Sequence, residues 1–383
     1  MRGKPHVLVV GAGAFGGWTA LHLLERGARV TLLDAWGPGN SRASSGGETR
    51  IMRGAYGADR VYTNLAARAL GLWAKYERRW KQHFLHRTGV LWMASPRDDA
   101  YERNSLEPLR TAKIKFEELS TKQMKKRWPQ INFAEVDWGI FEPDCGYLNA
   151  RASCRAVVDA FVAASGEYRQ IPISPAGLGT SLLDGAVLLA HDTCRLKADF
   201  YVFACGPWMG KLFPSIIGKL IQPTKQEVLF FGLPRRQGEY FTDQHLPVWG
   251  DHREPFMYGI PGSGRRGFKI ADDTRGPTFD PTSGERIVSP ETVNNIRGYL
   301  AFRFPALKKA PLIESRVCQY EQTPDSHFIV DRHPKNENVW LLGGGSGHGF
   351  KHGPAIGEVM AELILKDQEP TKIWSLARFQ KAS

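Results

Sequence analysis

The sequence predicts an α/β fold in which a β-rich domain is inserted into a discontinuous α/β domain. Three observations support this prediction. Residues 6–34 contain a strand, a glycine turn, a helix and a second strand, which together open a βαβ unit. Residues 339–365 contain a strand, the densest glycine cluster of the chain and a helix. Between these two segments, residues 223–269 hold several strand patterns broken by Gly and Pro.

The individual elements follow from local patterns. Apolar runs predict strands at 6–10 and 29–34, and the helical spacing of residues 18–27 ends at a glycine, a common helix stop. Residues 37–47 are rich in Gly, Ser and Pro and predict a loop. The remaining patterns predict helices at 62–80, 119–128, 151–165, 292–302 and 354–365, and strands at 86–96, 182–190, 198–204 and 339–342, with a further strand and a turn within 137–149.

The length and composition indicate an ordinary globular protein. A chain of 383 residues has room for two or three domains and buries enough core to need neither disulfides nor a structural metal. Its 42% hydrophobic and 23% charged residues argue against a disordered polymer. Its apolar runs fall short of the roughly 18 residues that a membrane-spanning helix needs, and no secretory signal is visible. We therefore expect a soluble cytoplasmic protein without a membrane partner.

The net charge of +12 and the cysteine count restrict the partners further. The basic residues are spread along the chain, and most of them are interpreted as solvated surface charge. The excess would also suit nucleic acid, an acidic membrane surface or an anionic small molecule. A basic tail, zinc-finger spacing and an RNA-binding signature are missing, so nucleic acid is not expected. The five cysteines, an odd number without a C-x-x-C pair, disfavour both a disulfide framework and a metal site.

Residues 11–16 read Gly-Ala-Gly-Ala-Phe-Gly and fit the dinucleotide-binding pattern G-x-G-x-x-G between strand and helix. The first glycine permits the tight turn, the second lets the backbone approach a pyrophosphate, and the third allows close packing of helix and strand. Asp34 ends the second strand, where it can accept a hydrogen bond from a ribose hydroxyl. The motif predicts a Rossmann-like domain, but it does not separate FAD from a nicotinamide cofactor. The predicted cofactor contacts of this motif are Gly11, Ala12, Gly13, Phe15, Gly16 and Asp34.

Three further segments point to one family. Residues 44–57 read Ser-Ser-Gly-Gly-Glu-Thr-Arg-Ile-Met-Arg-Gly-Ala-Tyr-Gly, Cys318-Gln-Tyr precedes Thr-Pro-Asp-Ser-His-Phe-Ile-Val-Asp at 323–331, and residues 345–351 read Gly-Ser-Gly-His-Gly-Phe-Lys. These segments resemble those of monomeric sarcosine oxidase and the N-methyl amino acid oxidases, FAD-dependent amine oxidoreductases of the D-amino acid oxidase type. Weaker matches at 128–129 and 141–143 extend the similarity over almost the whole chain, in order.

The resemblance implies a division into two domains. The FAD-binding domain would comprise residues 1–85, 145–220 and 322–383. The substrate domain would comprise residues 86–144 and 221–321. A monomer is compatible with the sequence, which leaves the oligomeric state open.

The resemblance also implies how the cofactor is held. The family joins FAD through its 8α carbon to a cysteine thioether, and Cys318 stands at the matching position; the alternative is an inert core cysteine. The glycine cluster would bring backbone amides to the flavin pyrimidine ring, with a plain turn as the alternative. For His348 a structural role is as compatible with the pattern as contact. The further predicted cofactor residues are Ser44, Thr49, Arg50, Gly345, Gly347, His348, Gly349 and Lys351.

The catalytic residues carried over from the family are mostly cations. Arg53 and Lys351 match the ligands of the substrate carboxylate, for which Arg supplies a planar fork and Lys a point charge. Lys269 matches a lysine near flavin N5, where positive charge would stabilise superoxide as an electron leaves reduced flavin. Tyr258 and Tyr320 match aromatic positions of the substrate pocket. The alternatives are solvated charges for the basic residues and packing for the tyrosines.

Two departures leave the substrate open. Gly46 stands where sarcosine oxidases carry a histidine beside the flavin, and Asp273 stands where they carry a histidine near the substrate amine. Arg265 and Arg266 suggest, as a hypothesis, a second carboxylate on the substrate.

The expected function is oxidation of the C–N bond of a secondary or N-substituted amino acid to an imine. Hydrogen peroxide would be released on reoxidation by O2. The substrate would be a small carboxylate-bearing amine. An FAD-dependent dehydrogenase passing electrons to a quinone or carrier is the alternative, and a basic nucleotide-containing protein that binds nucleic acid is a remote one.

Overall fold

The computed structural model describes residues 3–173, 187–188, 195–264 and 266–380. The strands of these segments are β1 His6–Val10, β2 Arg29–Leu33, β3 Thr49–Met52, β4 Leu85–His86, β5 Val90–Ala94, β6 Glu117–Ser120, β7 Trp138–Glu142, β8 Gly146–Asn149, β9 Glu167–Arg169, β10 Val187–Leu188, β11 Arg195–Leu196, β12 Phe200–Phe203, β13 Gln222–Phe231, β14 Val248–Asp251, β15 Met257–Ile260, β16 Phe268–Asp272, β17 Leu312–Gln322, β18 Ile329–His333 and β19 Asn336–Gly343. The α-helices are α1 Ala14–Glu25, α2 Arg60–Trp80, α3 Ala100–Thr111, α4 Thr121–Arg127, α5 Ala150–Ala163, α6 Met209–Leu212, α7 Pro214–Ile217, α8 Pro290–Arg303 and α9 Gly353–Leu365.

A six-stranded sheet in the order β18-β19-β12-β1-β2-β9 joins the two ends of the chain. All its neighbouring strands are parallel except β18 and β19. Because parallel strands end at the same edge, the segments that follow β1, β2, β12 and β19 converge there. Helices α1, α2 and α9 cover one face of this sheet around the buried side chains of Trp18, Trp73 and Tyr76.

The second large sheet has eight strands in the order β17-β13-β16-β15-β14-β5-β7-β6. Its pairs are antiparallel apart from β14 with β5. Strands β13 and β17 pair over ten positions, with Gln226 opposite Cys318 and Thr224 opposite Tyr320. A small sheet, β3-β8-β4, carries Thr49 and Arg50 on β3 and leads directly to Arg53.

The α/β class and the β-rich part predicted from sequence are confirmed, and most predicted elements are present with shifted ends. The predicted strand at 86–96 is wrong as a single element, since Gly89, at φ +76°, turns the chain between β4 and β5. The predicted helix at 119–128 begins later than expected, because Ser120 caps α4 at Thr121 and Leu119 belongs to β6. The predicted strand at 182–190 lies outside the described residues except for Val187–Leu188.

Among the described residues, none of the helices combines the length and apolar character required to cross a bilayer. In the same part of the chain, no cluster of three or more His, Cys, Asp or Glu side chains could hold a metal ion.

Candidate active site

The turn between β1 and α1 has the geometry of a dinucleotide site. Gly11 adopts φ +106°, and a Cβ there would lie 2.3 Å from the carbonyl oxygen of Ala204, so only glycine fits. A Cβ on Gly16 would lie 1.9 Å from the carbonyl oxygen of Gly11, which explains the close packing of helix and strand. Asp34 accepts hydrogen bonds from the backbone N–H groups of Ala12, Trp36 and Gly37 at 2.7–2.9 Å. Burial raises the pKa of Asp34, and the three backbone hydrogen bonds oppose this rise.

A cavity of about 450 Å³ lies along this edge of the sheet, a volume typical of small-molecule sites. The N-terminus of α1 opens into it without a side-chain cap, so its N–H groups face the cavity as an anion site. The buried hydroxyl of Ser44 also lines the cavity and has no hydrogen-bond partner among the described residues. Buried polar atoms are nearly always paired, so this hydroxyl indicates a missing polar ligand.

The glycine cluster after β19 forms the opposite wall. Gly345, Gly347 and Gly349 line the cavity, and Gly347 adopts φ +80°, where a Cβ would lie 2.6 Å from the ring of Tyr320. The carboxylate of Glu321, a residue that also lines the cavity, accepts a hydrogen bond from the N–H of Gly344 at 3.2 Å. The loop therefore presents its backbone to the cavity.

Arg50 joins this wall to Cys318. Its Nη2 donates to Cys318 Sγ at 3.3 Å and to the carbonyl oxygen of Ser44, and its Nη1 donates to the carbonyl oxygen of Thr49 at 2.8 Å. Lys269 lies nearby and donates from Nζ to the same Thr49 oxygen at 3.1 Å. Burial and the Arg50 guanidinium lower the pKa of Lys269 to about 7. Half-buried Arg50 and buried Lys269 thus stand near the one cysteine predicted to react.

A second pair of cations lies around Tyr56. The Arg53 guanidinium stands 4.0 Å from the centroid of the Tyr56 ring and donates to the hydroxyl of Tyr101 at 2.8 Å. Lys351 Nζ donates to the Tyr56 hydroxyl and to the carbonyl oxygen of His348, both at 2.9 Å. Burial, together with Arg53, holds the pKa of Lys351 well below its usual range. Arg53 gives the site a positive charge that suits a carboxylate, and a carboxylate bound there would favour the protonated form of Lys351.

Asp273 supplies negative charge beside the second pair. Its Oδ1 accepts from the hydroxyl of Tyr320 at 2.6 Å. Burial raises the pKa of Asp273, although Tyr320 and the charges of Arg53 and Lys351 oppose the shift. Tyr258 lies on β15, which pairs with the strand β16 that carries Lys269, and its ring centroid is 6.0 Å from Lys269 Nζ.

Some of the predicted site residues line the cavity, and the others lie outside its lining. In the described part of the chain, the lining includes the predicted residues Gly11, Gly13, Phe15, Asp34, Ser44, Arg50, Tyr320, Gly345, Gly347 and Gly349. The others lie outside that lining: Ala12, Gly16, Thr49, Arg53, Tyr258, Lys269, Asp273, Cys318, His348 and Lys351. Several of these contact lining residues directly, as Cys318 and Thr49 contact Arg50 and Asp273 contacts Tyr320.

Three further features of the sequence are His348, the departure at Gly46, and the pair Arg265 and Arg266. The ring nitrogens of His348 face the Ser326 carbonyl at 3.0 Å and the Tyr56 hydroxyl at 3.4 Å, and its ring stacks on Phe328, so the described contacts are structural. A Cβ on Gly46 would lie 1.8 Å from the Asn40 carbonyl oxygen, so a histidine could not occupy this backbone. Arg266 pairs with Glu314 at 2.9 Å, which gives it a partner other than substrate. Arg265 lies outside the described residues.

The comparisons decide the family. A family model described as "FAD dependent oxidoreductase" (DAO) matches residues 6–363. The chain belongs to the DAO family. It is 31% identical to a monomeric sarcosine oxidase of Bacillus sp. (strain B-0618), over 97% of this chain and 95% of that protein. It is 25% identical to an N-methyl-L-tryptophan oxidase of Yersinia pestis (strain Pestoides F), over 98% and 99% of the two chains. The crystal structure of the L-proline dehydrogenase from P. horikoshii has the same fold, with a TM-score of 0.84, 20% identity and coverage of 99% and 98%.

Membership of the DAO family makes this chain an FAD-dependent oxidoreductase acting on CH–NH donors, and it confirms the resemblance found in the sequence. The residues present fit FAD. The uncapped N-terminus of α1 suits a pyrophosphate, the unpartnered Ser44 hydroxyl offers it a donor, and Asp34 suits a ribose.

Sequence reasoning missed several residues of this DAO-family site. Tyr101 and Tyr56 accept hydrogen bonds from Arg53 and Lys351, and buried Glu142 holds the chain after Arg53 by accepting from Gly54 N–H at 2.6 Å. Tyr56 lies inside the quoted 44–57 segment, and Glu142 lies inside the weak match at 141–143. A local signal therefore existed for these two, whereas nothing in the sequence around Tyr101 indicates its contact.

Proposed function

We propose that this chain oxidises the C–N bond of a secondary or N-substituted amino acid to an imine and releases hydrogen peroxide. The observation that carries this proposal is the set of four basic side chains, buried Lys269 and Lys351 and half-buried Arg50 and Arg53, which stand near the carboxylates of Asp273 and Glu142. When bound, FAD supplies the redox chemistry, which takes a hydride equivalent from the carbon next to nitrogen and passes two electrons to dioxygen. The chain's own residues bind the substrate carboxylate, accept the proton of the amine, hold the flavin and stabilise negative charge on dioxygen in this proposal.

Arg53 and Lys351 bind the substrate carboxylate in this proposal. Both side chains are oriented by hydroxyls, Arg53 by Tyr101 and Lys351 by Tyr56, so little ordering remains when the substrate arrives. A buried guanidinium and ammonium form strong charge-assisted hydrogen bonds with a carboxylate. Two relatives are named as oxidases of sarcosine and of N-methyl-L-tryptophan, and both of these amino acids carry a carboxylate.

Asp273 is proposed to accept the proton that the substrate ammonium loses. Only a neutral amine has the lone pair that supports departure of a hydride, so the substrate ammonium must lose a proton. The surrounding cations disfavour the ammonium form. Asp273 can accept the released proton on its carboxylate, while its hydrogen bond from Tyr320 fixes the orientation of that carboxylate.

Cys318 is the proposed attachment point of the flavin. Arg50 holds its sulfur at 3.3 Å and places a positive charge next to it, and the thiolate is the nucleophilic form of cysteine. Lys269 is proposed to stabilise negative charge that develops on dioxygen. The two functions would share one buried cationic corner.

The division into two domains is also a proposal. Residues 1–85, 145–220 and 322–383 contain the six-stranded sheet, and residues 86–144 and 221–321 contain the eight-stranded sheet apart from Gln322. The first group would bind FAD and the second would supply most of the substrate side. The oligomeric state and the cellular compartment are left to experiment.

A substrate panel tests the activity. N-methyl, cyclic and N-carboxymethyl amino acids are incubated with the enzyme in air, and peroxide is measured against consumption of substrate. One peroxide per substrate supports the oxidase. Reduction of an acceptor dye by the same substrates, with little peroxide in air, would favour the dehydrogenase instead.

A denaturing gel tests the covalent link. The protein band should fluoresce under ultraviolet light after acid treatment, and Cys318→Ser should remove that fluorescence. Cys154→Ser is the matched control, since Cys154 lies buried in α5 and should leave the band fluorescent. Fluorescence that survives Cys318→Ser would move the link to another residue.

A further inference from the structure

Two acidic side chains line the cavity in the described part of the chain, and they differ in their partners. Asp34 lies at the adenosine end and accepts three backbone N–H groups. Glu321 lies on β17, lines the cavity and accepts from the N–H of Gly344 in the glycine loop. It matches nothing in the dinucleotide motif or in the substrate group.

Among the described residues, no cation is found in contact with the Glu321 carboxylate. Cβ atoms built on Gly343 and Gly345 would lie 3.3 and 3.1 Å from its carboxylate oxygens, and one on Gly206 would lie 3.9 Å away. The loop N–H groups of Gly344 and Gly345 are its donors. The titratable side chain that faces it from the β12 side is the Cys205 thiol.

A carboxylate in this position conflicts with the charge of the cofactor. Burial outweighs the two loop amides and raises the pKa of Glu321 to about 7. The pyrophosphate of FAD brings two further negative charges to the α1 end of the same cavity, where they would oppose ionisation of Glu321. The protonated acid, in contrast, can donate one hydrogen bond and still accept from the loop.

We propose that Glu321 binds FAD as the neutral carboxylic acid and that, on the alkaline side of neutrality, capture of the cofactor is coupled to uptake of one proton. Glu321 shares the lining of the cavity with Gly13 at the β1–α1 turn and with Arg50 and Tyr320 beside Cys318. The ribityl chain is the part of FAD that connects a pyrophosphate to a flavin ring, and its hydroxyls accept hydrogen bonds. The inference rests on the assignment of FAD to this cavity.

The sign of the pH dependence follows from linkage. A group that keeps its proton in the complex favours binding fully below its pKa in the free protein and progressively less above it. The dissociation constant of FAD should therefore be constant on the acidic side of about pH 7 and rise up to about tenfold per pH unit on the alkaline side. Glu321→Gln keeps a hydrogen-bonding side chain without a titrating proton, so its binding should not change over this range.

The experiment uses the full chain carrying Cys318→Ser, so that FAD can be removed and added back. FAD is titrated into the apoprotein at several pH values, and binding is read from the quenching of FAD fluorescence. Glu118→Gln, which alters an exposed glutamate of β6, is the control and should keep the slope of the parent. An equal slope in Glu321→Gln, or a flat profile in the parent, would overturn the proposal.

A second measurement uses the holoenzyme and needs no removal of FAD. Its infrared spectrum at neutral pH should contain a protonated-carboxyl band that Glu321→Gln removes, and absence of that band would contradict the proposal. The two possible failures are distinguishable. An apoprotein that binds FAD at no pH would contradict the cofactor assignment, whereas pH-independent binding would contradict only the role of Glu321.

Discussion

Lys269 offers the sharpest perturbation of the proposed oxygen chemistry. Its ammonium is buried, with 5% of the residue exposed, and donates to the carbonyl oxygen of Thr49 at 3.1 Å. Lys269→Met keeps most of the length and the apolar stem while removing the charge. If Lys269 acts on dioxygen, the substitution slows reoxidation of the enzyme and leaves its reduction by substrate nearly unchanged.

The magnitude follows from Coulomb's law. We assign the dioxygen molecule a separation of about 6 Å from Lys269 Nζ for an order-of-magnitude figure. At an effective dielectric constant of about 20, a unit charge at that distance contributes about 3 kcal/mol. This corresponds to about a 100-fold loss in the rate constant for reoxidation.

Stopped-flow absorbance separates the two half-reactions. The enzyme is reduced anaerobically by substrate and then mixed with oxygenated buffer. Because the pKa of Lys269 is lowered to about 7, its ammonium is present below that pH and lost above it. Reoxidation of the parent should therefore slow as pH rises through about 7, and Lys269→Met should be slow throughout. Lys219→Met, at an exposed position, is the control. Equal slowing of both half-reactions by Lys269→Met would refute this reasoning.

Two further predictions concern binding and stability. Arg53→Lys keeps the charge but loses the fork, so kcat/KM should fall about 100-fold for carboxylate-bearing amines and little for amines without a carboxylate; equal losses for both would contradict the carboxylate role. Asp251→Asn leaves Arg303, which is fully buried and paired to Asp251 at 2.7 Å, without its counter-charge. The free energy of unfolding in urea should drop by about 3–5 kcal/mol, and an unchanged midpoint would contradict the importance of this pair.

The dinucleotide end was predictable because its signals are local. The glycines and Asp34 lie within one βαβ unit, and the conformations of Gly11 and Gly16 follow directly from the contacts that glycine alone allows. Helix α3 was not predicted, since its sequence is polar and contains Pro108. Strand β17 was not predicted either, although the family motif around Cys318 lies on it.

The contacts of the site were less predictable because they join distant parts of the chain. Arg50 and Cys318 are separated by 268 positions, and Asp273 and Tyr320 by 47. No periodicity connects such pairs, and only the resemblance brought them to one site. The raised pKa of Glu321 depends on burial by two separate segments, 205–206 and 343–345, a contact that no motif in the sequence reports.

The central claim is that a buried cationic site binds a carboxylate-bearing secondary amine for oxidation at FAD. The most direct test is anaerobic mixing of the yellow holoenzyme with a series of N-substituted amino acids and their decarboxylated counterparts. The account predicts that acids in the series bleach the flavin absorbance and yield one peroxide per flavin when air is admitted, while the counterparts react far more slowly. Bleaching by the decarboxylated amines at the same rate, or by no member of the series, would contradict it.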